Sequence, residues 1–414
     1  MRFNRSECVL CVLVAFAFVV PVGAMGGAPA AKSTAEKEWT LLIFWACDNN
    51  LEFTTEFCMQ AWERALTSNE EVNIVVFVDI LTADGTWIYE ISGGTSRVVA
   101  TWSEMNSSDP ATLEKFVLYG MQNYPAKKTM LMISDHGYGW RGICQDETNG
   151  DVLMPADGIA NALKDVTDST KKMVDLVAFD ACNMGALEVA YELRDAAAYM
   201  VATETMEPYD GLPYEMFITD LVKTPTMSAA DLAKAIVQEY VLYYSSKWDY
   251  PHQMKYSQDF ATMVALDLSK MGAVGAAFSD LTDVLLPIIP EHRKAVEGAR
   301  GYALIGTWTN MAGYEWMPDV YTFVDGLRAI QGHPELVSAV DAFESAFDSA
   351  VLAQAASKKY HDSVHGLNFW FPPSLSQYNS QGWVWARQFI YDGVGLDIVS
   401  DSAWVDCLMA YYSC

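Results

Sequence analysis

Two apolar segments that each lead to a reactive side chain constrain this chain more than any other feature. Residues 130–133 lead within three positions to His136, and residues 176–179 lead within three positions to Cys182. Short, uninterrupted apolar runs are typical of parallel strands buried on both faces. Ligands and chemistry collect at the carboxyl ends of such strands in an open α/β sheet. An imidazole and a thiol delivered there predict a nucleophile and its base.

The surrounding sequence alternates between strand and helix patterns. Apolar runs of strand length occupy residues 40–46, 72–81 and 199–203, and helical patterns occupy residues 54–66, 110–119, 155–166 and 186–193. Gly93-Gly94 and Asn149-Gly150 each lie between short apolar runs and predict hairpins. The alternation predicts an α/β fold with a mainly parallel sheet between helices.

The second half of the chain has a different character. Helical patterns occupy residues 229–248, 280–289, 318–330 and 335–356, and strands are predicted at residues 263–268 and 367–371. We therefore predict a catalytic domain at residues 39–226 and a C-terminal α+β extension at residues 227–414.

The N-terminal segment has the pattern of a secretory signal peptide. Arg2 and Arg5 precede an apolar run at residues 9–20, and small residues end the segment at Ala24. The alternative for residues 1–24 is a retained membrane anchor. Residues 25–38, rich in Gly, Ala and Ser, predict a flexible linker. We expect a secreted, extracellular protein with no stable membrane insertion once the signal is removed.

The net charge limits the classes of molecule that this protein is expected to bind, and the positions of the cysteines suggest how they pair. A formal net charge of -27 disfavours binding to nucleic acid and to anionic membranes and suits cationic substrates, although solubility alone also explains it. Of the eight cysteines, Cys8 and Cys11 lie in the signal segment. Cys407 and Cys414 are close in sequence and predict a local disulfide.

His136 and Cys182 carry the predicted chemistry. Gly137 permits a sharp turn after His136, and its N–H and that of Cys182 are candidate donors to an oxyanion. A thiol that precedes a helix and lies near an imidazole is expected to have a depressed pKa. The alternatives are a structural histidine near a turn and a cysteine buried by packing. His365 repeats the His-Gly pair but precedes its apolar run, so we predict a structural role for it.

The ordered set of motifs resembles the clostripain family of cysteine peptidases, within the caspase-like group that includes legumains and gingipains. The resemblance rests on residues 39–43, 48–52, 136–137, 180–185, 188, 204–214, 319–321 and 366–372. It spans about residues 39–375. Asn183 departs from the family pattern, in which this position is commonly apolar.

The resemblance implies a caspase-like fold and an endopeptidase that cuts proteins or peptides after Arg or Lys. His136 and Cys182 are then the catalytic dyad. Asp180 and Asp210 match the positions of the acidic residues that line the S1 pocket. The sequence leaves alternatives open for both: Asp180 as a buried carboxylate that orients backbone N–H groups, and Asp210 as part of an Asp-Gly turn.

No organic cofactor and no metal ligand are predicted. Calcium remains open, because some members of the family need it, but the acidic residues 146–151 lack the spacing of an EF-hand and a charged surface explains them. Some members also cut themselves between the His and Cys segments. The hairpin at residues 143–153 contains no Lys or Arg, so Lys171 or Lys172 is the expected site if a cut occurs.

Two other functions remain compatible with the sequence. One is a caspase-like peptidase with another P1 preference, such as a legumain-like preference for Asn. The other is a catalytically inactive, secreted binding protein on the same scaffold.

Overall fold

The computed structural model describes residues 35–67, 71–245, 261–304, 316–356, 364–380 and 391–414. The predicted signal peptide and most of the predicted linker lie outside these residues. The described residues belong to one compact unit, and strands from both sides of the predicted boundary at 226/227 form the same sheet.

Nine strands of the described residues form this sheet, in the spatial order β11-β10-β9-β8-β5-β1-β2-β3-β4, and β6 pairs with β7 in a separate hairpin. The strands are β1 (Lys37–Cys47), β2 (Val72–Ile80), β3 (Thr86–Ser92), β4 (Thr95–Trp102), β5 (Ala126–Ser134), β6 (Ile143–Asp146), β7 (Val152–Met154), β8 (Val174–Asp180), β9 (Ala197–Ala202), β10 (Thr262–Asp267) and β11 (Val351–Ala356). The five central strands are parallel, and the two at each end pair antiparallel. The predicted mainly parallel sheet is confirmed.

Helices cover both faces of the sheet. They are α1 (Thr55–Ala65), α2 (Pro110–Asn123), α3 (Ala156–Thr170), α4 (Leu187–Glu192), α5 (Tyr214–Lys223), α6 (Ala229–Ser245), α7 (Met271–Leu285), α8 (Ile289–Tyr302), α9 (Val320–Gly326), α10 (Pro334–Ala350), α11 (Leu375–Ser380), α12 (Asp397–Ser400) and α13 (Trp404–Tyr412).

Alternate residues of each central strand enter different cores. In β1, Leu42 and Phe44 pack in the core beneath α2 and α3, whereas Leu41 and Ile43 pack in the core beneath α1 and α5. Because successive strand side chains point to opposite faces, a sheet covered on both sides needs a continuous apolar run. This explains the uninterrupted pattern that the sequence shows.

Two predicted elements in the second half are wrong. Residues 351–356 were expected to continue a helix but form β11, because their backbone groups pair with β10 at the edge of the sheet. Residues 367–371 were expected to form a strand. Their backbone instead bonds to several different partners, with isolated bridges from Asn368 to Ala186 and to Asp319.

The predicted disulfide between Cys407 and Cys414 is also wrong, since both thiols are free. Cys407 lies in α13 and Cys414 lies two residues beyond its end. Seven residues of helix rise about 10 Å, and a disulfide needs Cα atoms less than about 7 Å apart.

One helical run, Leu268–Tyr302, has the length and apolar character that a membrane span requires, which qualifies the expectation of no membrane insertion. Core helices of folded domains often have the same length and apolar character. Val274, Phe278 and Leu281 of this run are buried in the protein core, and the helix geometry breaks at His292.

Candidate active site

The register between β5 and β8 brings the two predicted catalytic residues together. Ser134, the last residue of β5, pairs with Asp180, the last residue of β8, in a parallel ladder. His136 and Cys182 each lie two residues beyond this pair. The sheet therefore delivers the imidazole and the thiol to neighbouring positions at its carboxyl edge.

Gly137 packs directly against the loop that carries Cys182. A Cβ atom at position 137 would lie 2.3 Å from the Cys182 carbonyl oxygen and 3.0 Å from the Ala181 Cβ. Carbon and oxygen atoms do not approach to 2.3 Å without bonding, so no side chain fits. The two loops approach this closely only because residue 137 is glycine.

The His136 ring is held from one side by Asn50. Its Nε2 lies 2.9 Å from the Asn50 Oδ1, which only accepts hydrogen bonds, so Nε2 carries the proton and Nδ1 keeps its lone pair. Burial lowers the pKa of His136 to about 4. The imidazole is therefore neutral at pH 7 and able to accept a proton at Nδ1.

The loop that carries Asn50 is itself held in place. The side chain of the preceding residue, Asn49, donates hydrogen bonds to the Asp135 Oδ1 at 2.6 Å and to the Gln145 carbonyl at 2.8 Å. The loop after β1 is thus tied both to the residue before His136 and to the β6–β7 hairpin.

The thiol of Cys182 is covered by the segment after β9. Its Sγ accepts a hydrogen bond from the Glu207 N–H at 3.2 Å. Burial raises the pKa of Cys182 to about 12, against a smaller lowering effect of the Glu207 and Cys182 N–H groups. The prediction of a depressed thiol pKa is wrong for this structure.

The helix that was expected to lower this pKa begins too late. Helix α4 starts at Leu187, five residues after Cys182. Between them, the Gly185 N–H donates to the Thr203 carbonyl at 2.7 Å. Asn183 adopts a left-handed backbone with φ 60°, which Asn tolerates better than an apolar side chain does. This left-handed turn explains why residue 183 is Asn and not an apolar residue, as is common in the family.

The carboxylate of Asp180 is used within the protein. It accepts hydrogen bonds from the Ser134 hydroxyl at 2.9 Å, from the Leu212 N–H at 3.1 Å and from the Tyr214 hydroxyl. Burial raises the pKa of Asp180. Asp180 thereby anchors residues 211–214 to the end of β8, which is the alternative role that the sequence left open.

Asp210 lies in the same segment and is also buried. The next residue, Gly211, has φ 66°, and a Cβ there would lie 2.8 Å from an Asp180 carboxylate oxygen. Its carbonyl accepts a hydrogen bond from the Tyr244 hydroxyl at 2.6 Å. The segment that covers Cys182 thus packs Gly211, the residue after Asp210, against the carboxylate of Asp180.

His365 contacts Asp319, Tyr321 and Thr322. Its N–H donates to the Asp319 Oδ2 at 2.7 Å, its Nδ1 lies 3.0 Å from the Thr322 hydroxyl, and its ring stacks on Tyr321. These contacts agree with the predicted structural role.

Sequence reasoning missed Asn50, Glu207 and an acidic cluster behind the site. Asp48, Asp79 and Asp146 each offer a carboxylate oxygen, and these atoms lie within 4.8 Å of one another. These residues are the candidate metal ligands of the described chain. Because they are far apart in sequence, no local spacing reveals them.

The sheet topology and the two reactive loops define a caspase-like α/β scaffold. The sequence model of the Clostripain family matches residues 43–408. This protein therefore belongs to the clostripain family, which is a family of cysteine endopeptidases.

Related proteins support the same assignment. Clostripain from Hathewaya histolytica is 30% identical over 200 residues, which cover 40% of this chain and only 38% of clostripain. A secreted C11 cysteine protease from Bacteroides thetaiotaomicron, solved with an irreversible peptide inhibitor, has a TM-score of 0.67 and 19% identity and covers 89% of this chain and 99% of its own. An inactive zymogen C11 protease from Parabacteroides distasonis has a TM-score of 0.63 and 18% identity. The match covers 89% of this chain and 98% of that protease. At these identities the two structures establish the fold.

Proposed function

We propose that this protein is a secreted cysteine endopeptidase that cleaves peptide bonds after Arg or Lys. Cys182 is the nucleophile, and His136 is the general base and then the general acid. The observation that supports the dyad best is the pairing of Ser134 with Asp180, which sets both loops side by side at the carboxyl edge.

The proposed reaction starts from a neutral thiol and a neutral imidazole. As the Cys182 sulfur attacks the substrate carbonyl, the thiol proton passes to the Nδ1 of His136. The N–H groups of Gly137 and Cys182 donate to the oxyanion, and such a donor contributes roughly 3 kcal/mol. His136 then returns the proton to the departing amine, and water hydrolyses the thioester. Substrate binding must first displace the Glu207 N–H from the sulfur.

Acidic groups support a preference for basic P1 residues. Asp180 ends β8 and Asp210 lies in the segment that covers the thiol, in a chain of net charge -27. A buried guanidinium needs an opposite charge to offset its desolvation. We assign the S1 carboxylate to Asp210 and a positioning role to Asp180, whose oxygens already hold residues 211–214.

Secretion is supported by the sequence of residues 1–24. A structural relative from Bacteroides thetaiotaomicron is described as secreted. Detection of the chain in culture medium, with its new N-terminus after residue 24, would test this part of the proposal.

The function is tested with peptides that differ only at P1. The purified protein should cleave after Arg and Lys and hardly at all after Asn or Asp. Cys182→Ala and His136→Ala should lose this activity, whereas the matched controls Cys414→Ala and His365→Ala should retain it. Equal cleavage after Arg and Asn would favour the legumain-like alternative. Inactivity of the wild type on every peptide would favour the binding protein.

A further inference from the structure

Two exposed aromatic side chains are in contact beside the candidate active site. Phe53 is 65% exposed and Tyr209 is 44% exposed. Their rings meet edge to face, with centroids 5.6 Å apart and an angle of 62° between the ring planes. Tyr302, at the end of α8, is the other exposed aromatic residue in the described ranges. Single exposed apolar side chains are normal on a protein surface, whereas exposed apolar groups that cluster at a cleft mark binding sites.

Phe53 belongs to the segment that holds the His136 ring. It lies three residues after Asn50, whose Oδ1 is 2.9 Å from the His136 Nε2. Three residues of chain span at most about 11 Å, even when they are fully extended. Phe53 is therefore within about 11 Å, from Cα to Cα, of the residue that contacts the proposed base.

Tyr209 belongs to the segment that covers the thiol. It lies two residues after Glu207, whose N–H donates to the Cys182 sulfur at 3.2 Å, and directly before Asp210, the proposed S1 carboxylate. Two residues of chain span at most about 7 Å. The aromatic pair formed by Phe53 and Tyr209 thus bridges the two segments that contact the proposed nucleophile and base.

This position makes a bound substrate the expected occupant of the aromatic pair. A peptide whose scissile carbonyl lies at Cys182 extends from it by about 3.3–3.6 Å per residue. Side chains up to three residues from the cleaved bond therefore cover the distance to Phe53 and Tyr209. The edge-to-face contact buries one edge of a ring and leaves most of both rings available to a further apolar group.

The acidic residues beside the two rings are turned to other partners. The Glu52 carboxylate accepts hydrogen bonds from the Thr82 N–H and from the Thr82 hydroxyl, both at 2.9 Å. Asp210, which follows Tyr209, is buried. The exposed surface of the aromatic pair is therefore mainly aromatic carbon, which favours an apolar side chain over a charged one.

We propose that Phe53 and Tyr209 form a second specificity subsite, which takes an apolar side chain of the substrate within three residues of the cleaved bond. The inference rests on the proposed function, because the occupant is the peptide that Cys182 attacks. It assigns the aromatic pair to substrate binding and gives it no part in the chemical steps.

The subsite is tested with peptides that keep Arg at P1 and Ala elsewhere. Phe or Leu replaces Ala at one position at a time, from P4 to P3′. At one position the wild type should prefer Phe or Leu over Ala by at least about 10-fold in kcat/KM, because a single methylene in an apolar pocket discriminates by about 10- to 200-fold. Phe53→Ala and Tyr209→Ala should each reduce this ratio by at least about 3-fold, and the double variant should bring it close to 1.

The ratio separates a subsite from a structural role. A shift of Asn50 or Glu207 in these variants would lower kcat/KM for the Ala and Phe peptides alike and leave their ratio unchanged. Tyr302→Ala, which removes the other exposed aromatic side chain, should keep the wild-type ratio. A wild-type ratio near 1 at every position, a ratio that survives the double variant, or a preference for Arg or Lys over Phe at the sensitive position would each overturn the proposal.

Binding distinguishes failure of the subsite from failure of the proposed function. Fluorescence anisotropy of the labelled peptides with the Cys182→Ala chain should show the preference as a ratio of Kd values, and Phe53→Ala in this chain should reduce it. If the wild type cleaves nothing but this ratio is found, the subsite stands and the peptidase activity fails. A binding ratio near 1 without cleavage would overturn both. Cleavage after Asn instead of Arg would overturn the S1 assignment alone, and the same scan with Asn at P1 then decides the subsite.

Discussion

The His136 imidazole is neutral at pH 7, and this has a measurable consequence for its proposed role as the general base. Burial lowers the pKa of its imidazole to about 4, so the ring accepts a proton at any pH well above 4. The profile of kcat/KM against pH reports groups of the free enzyme. We predict that kcat/KM for an Arg substrate stays level between pH 5.5 and 7 and falls only at lower pH. An inflection near the ordinary histidine value of about 6.5 would contradict a lowered His136 pKa in the active form.

At Gly137, the addition of a single methyl group should strongly reduce activity. A Cβ there meets the Cys182 carbonyl at 2.3 Å, so Gly137→Ala should push the two loops apart. We predict a loss of at least about 100-fold in kcat/KM, because about 1 Å of misplacement costs this much. The measurement is steady-state kinetics together with thermal unfolding.

The matched control is Gly298→Ala in the interior of α8, where a Cβ meets no atom within 4 Å. It should leave activity unchanged and stabilise the protein by about 0.5–1 kcal/mol. Wild-type activity in Gly137→Ala would mean that the loops have another spacing in the active enzyme.

At the scale of elements, the segment between β9 and α5 has two parts to play. Its Glu207 N–H covers the Cys182 sulfur, and its Asp210 is the proposed S1 carboxylate. We predict that Asp210→Asn lowers kcat/KM for Arg and Lys substrates by about 10- to 1000-fold, the loss expected from ~2–4 kcal/mol of charge-assisted pairing. The protein should stay folded. Asp180→Asn should instead lower Tm, because Asp180 accepts the hydrogen bonds that hold Leu212 and Tyr214. Comparable losses for an Asn substrate in Asp210→Asn would remove its S1 role.

The connection between α3 and β8 limits self-cleavage. Lys171 is exposed in a left-handed turn at the end of α3, whereas Lys172 binds the Ala126 carbonyl through its amine. Cys182 lies beyond the other end of β8, whose seven residues span roughly 23 Å. We predict that a cut after Lys171, where one occurs, is made by another molecule, and that residues 143–153 stay intact.

Mass spectrometry of a mixture of wild-type enzyme and a tagged Cys182→Ala chain tests whether one molecule cuts another. Wild-type enzyme should cut a tagged Cys182→Ala chain after Lys171, at a rate that rises with enzyme concentration, and a Lys171→Gln version of the tagged chain should resist. Cleavage of the wild type at a rate independent of concentration would contradict a reaction between molecules.

The elements also show which parts of the fold a sequence is able to predict. The central strands and the positions of His136 and Cys182 just beyond two neighbouring strands were predictable, because each strand is a continuous apolar run and its reactive residue follows at once. The edge strand β11 was not, since its partner β10 lies about 85 residues away. The raised pKa of Cys182 and the acidic cluster depend on segments that meet only in the folded chain.

For the molecule as a whole, an acidic chain with buried carboxyl groups should lose stability as pH rises. Burial raises the pKa of Glu192 to about 7 and that of Glu239 to about 8. The ordinary glutamate value is about 4.3, so between these values the folded protein holds protons that the unfolded chain releases. Stability then falls with pH, by at most ~1.4 kcal/mol per pH unit for each group and by less where solvent screens it.

The window in which this effect is tested is pH 6.5 to 8.5, where Asp79, whose pKa burial raises to about 8, acts in the same direction. His136 acts in the opposite direction, because its pKa is lowered, but only below its ordinary value of about 6.5. Glu239 faces Asp220, which raises its pKa further, and Lys223, which lowers it. We predict that Tm falls across this window and that it falls less in Glu239→Gln, whose amide does not ionise. Glu291→Gln, an exposed change on α8, should follow the wild type. A Tm that rises with pH in this window, or an unchanged slope in Glu239→Gln, would show that these carboxyl groups are ionised in the folded protein.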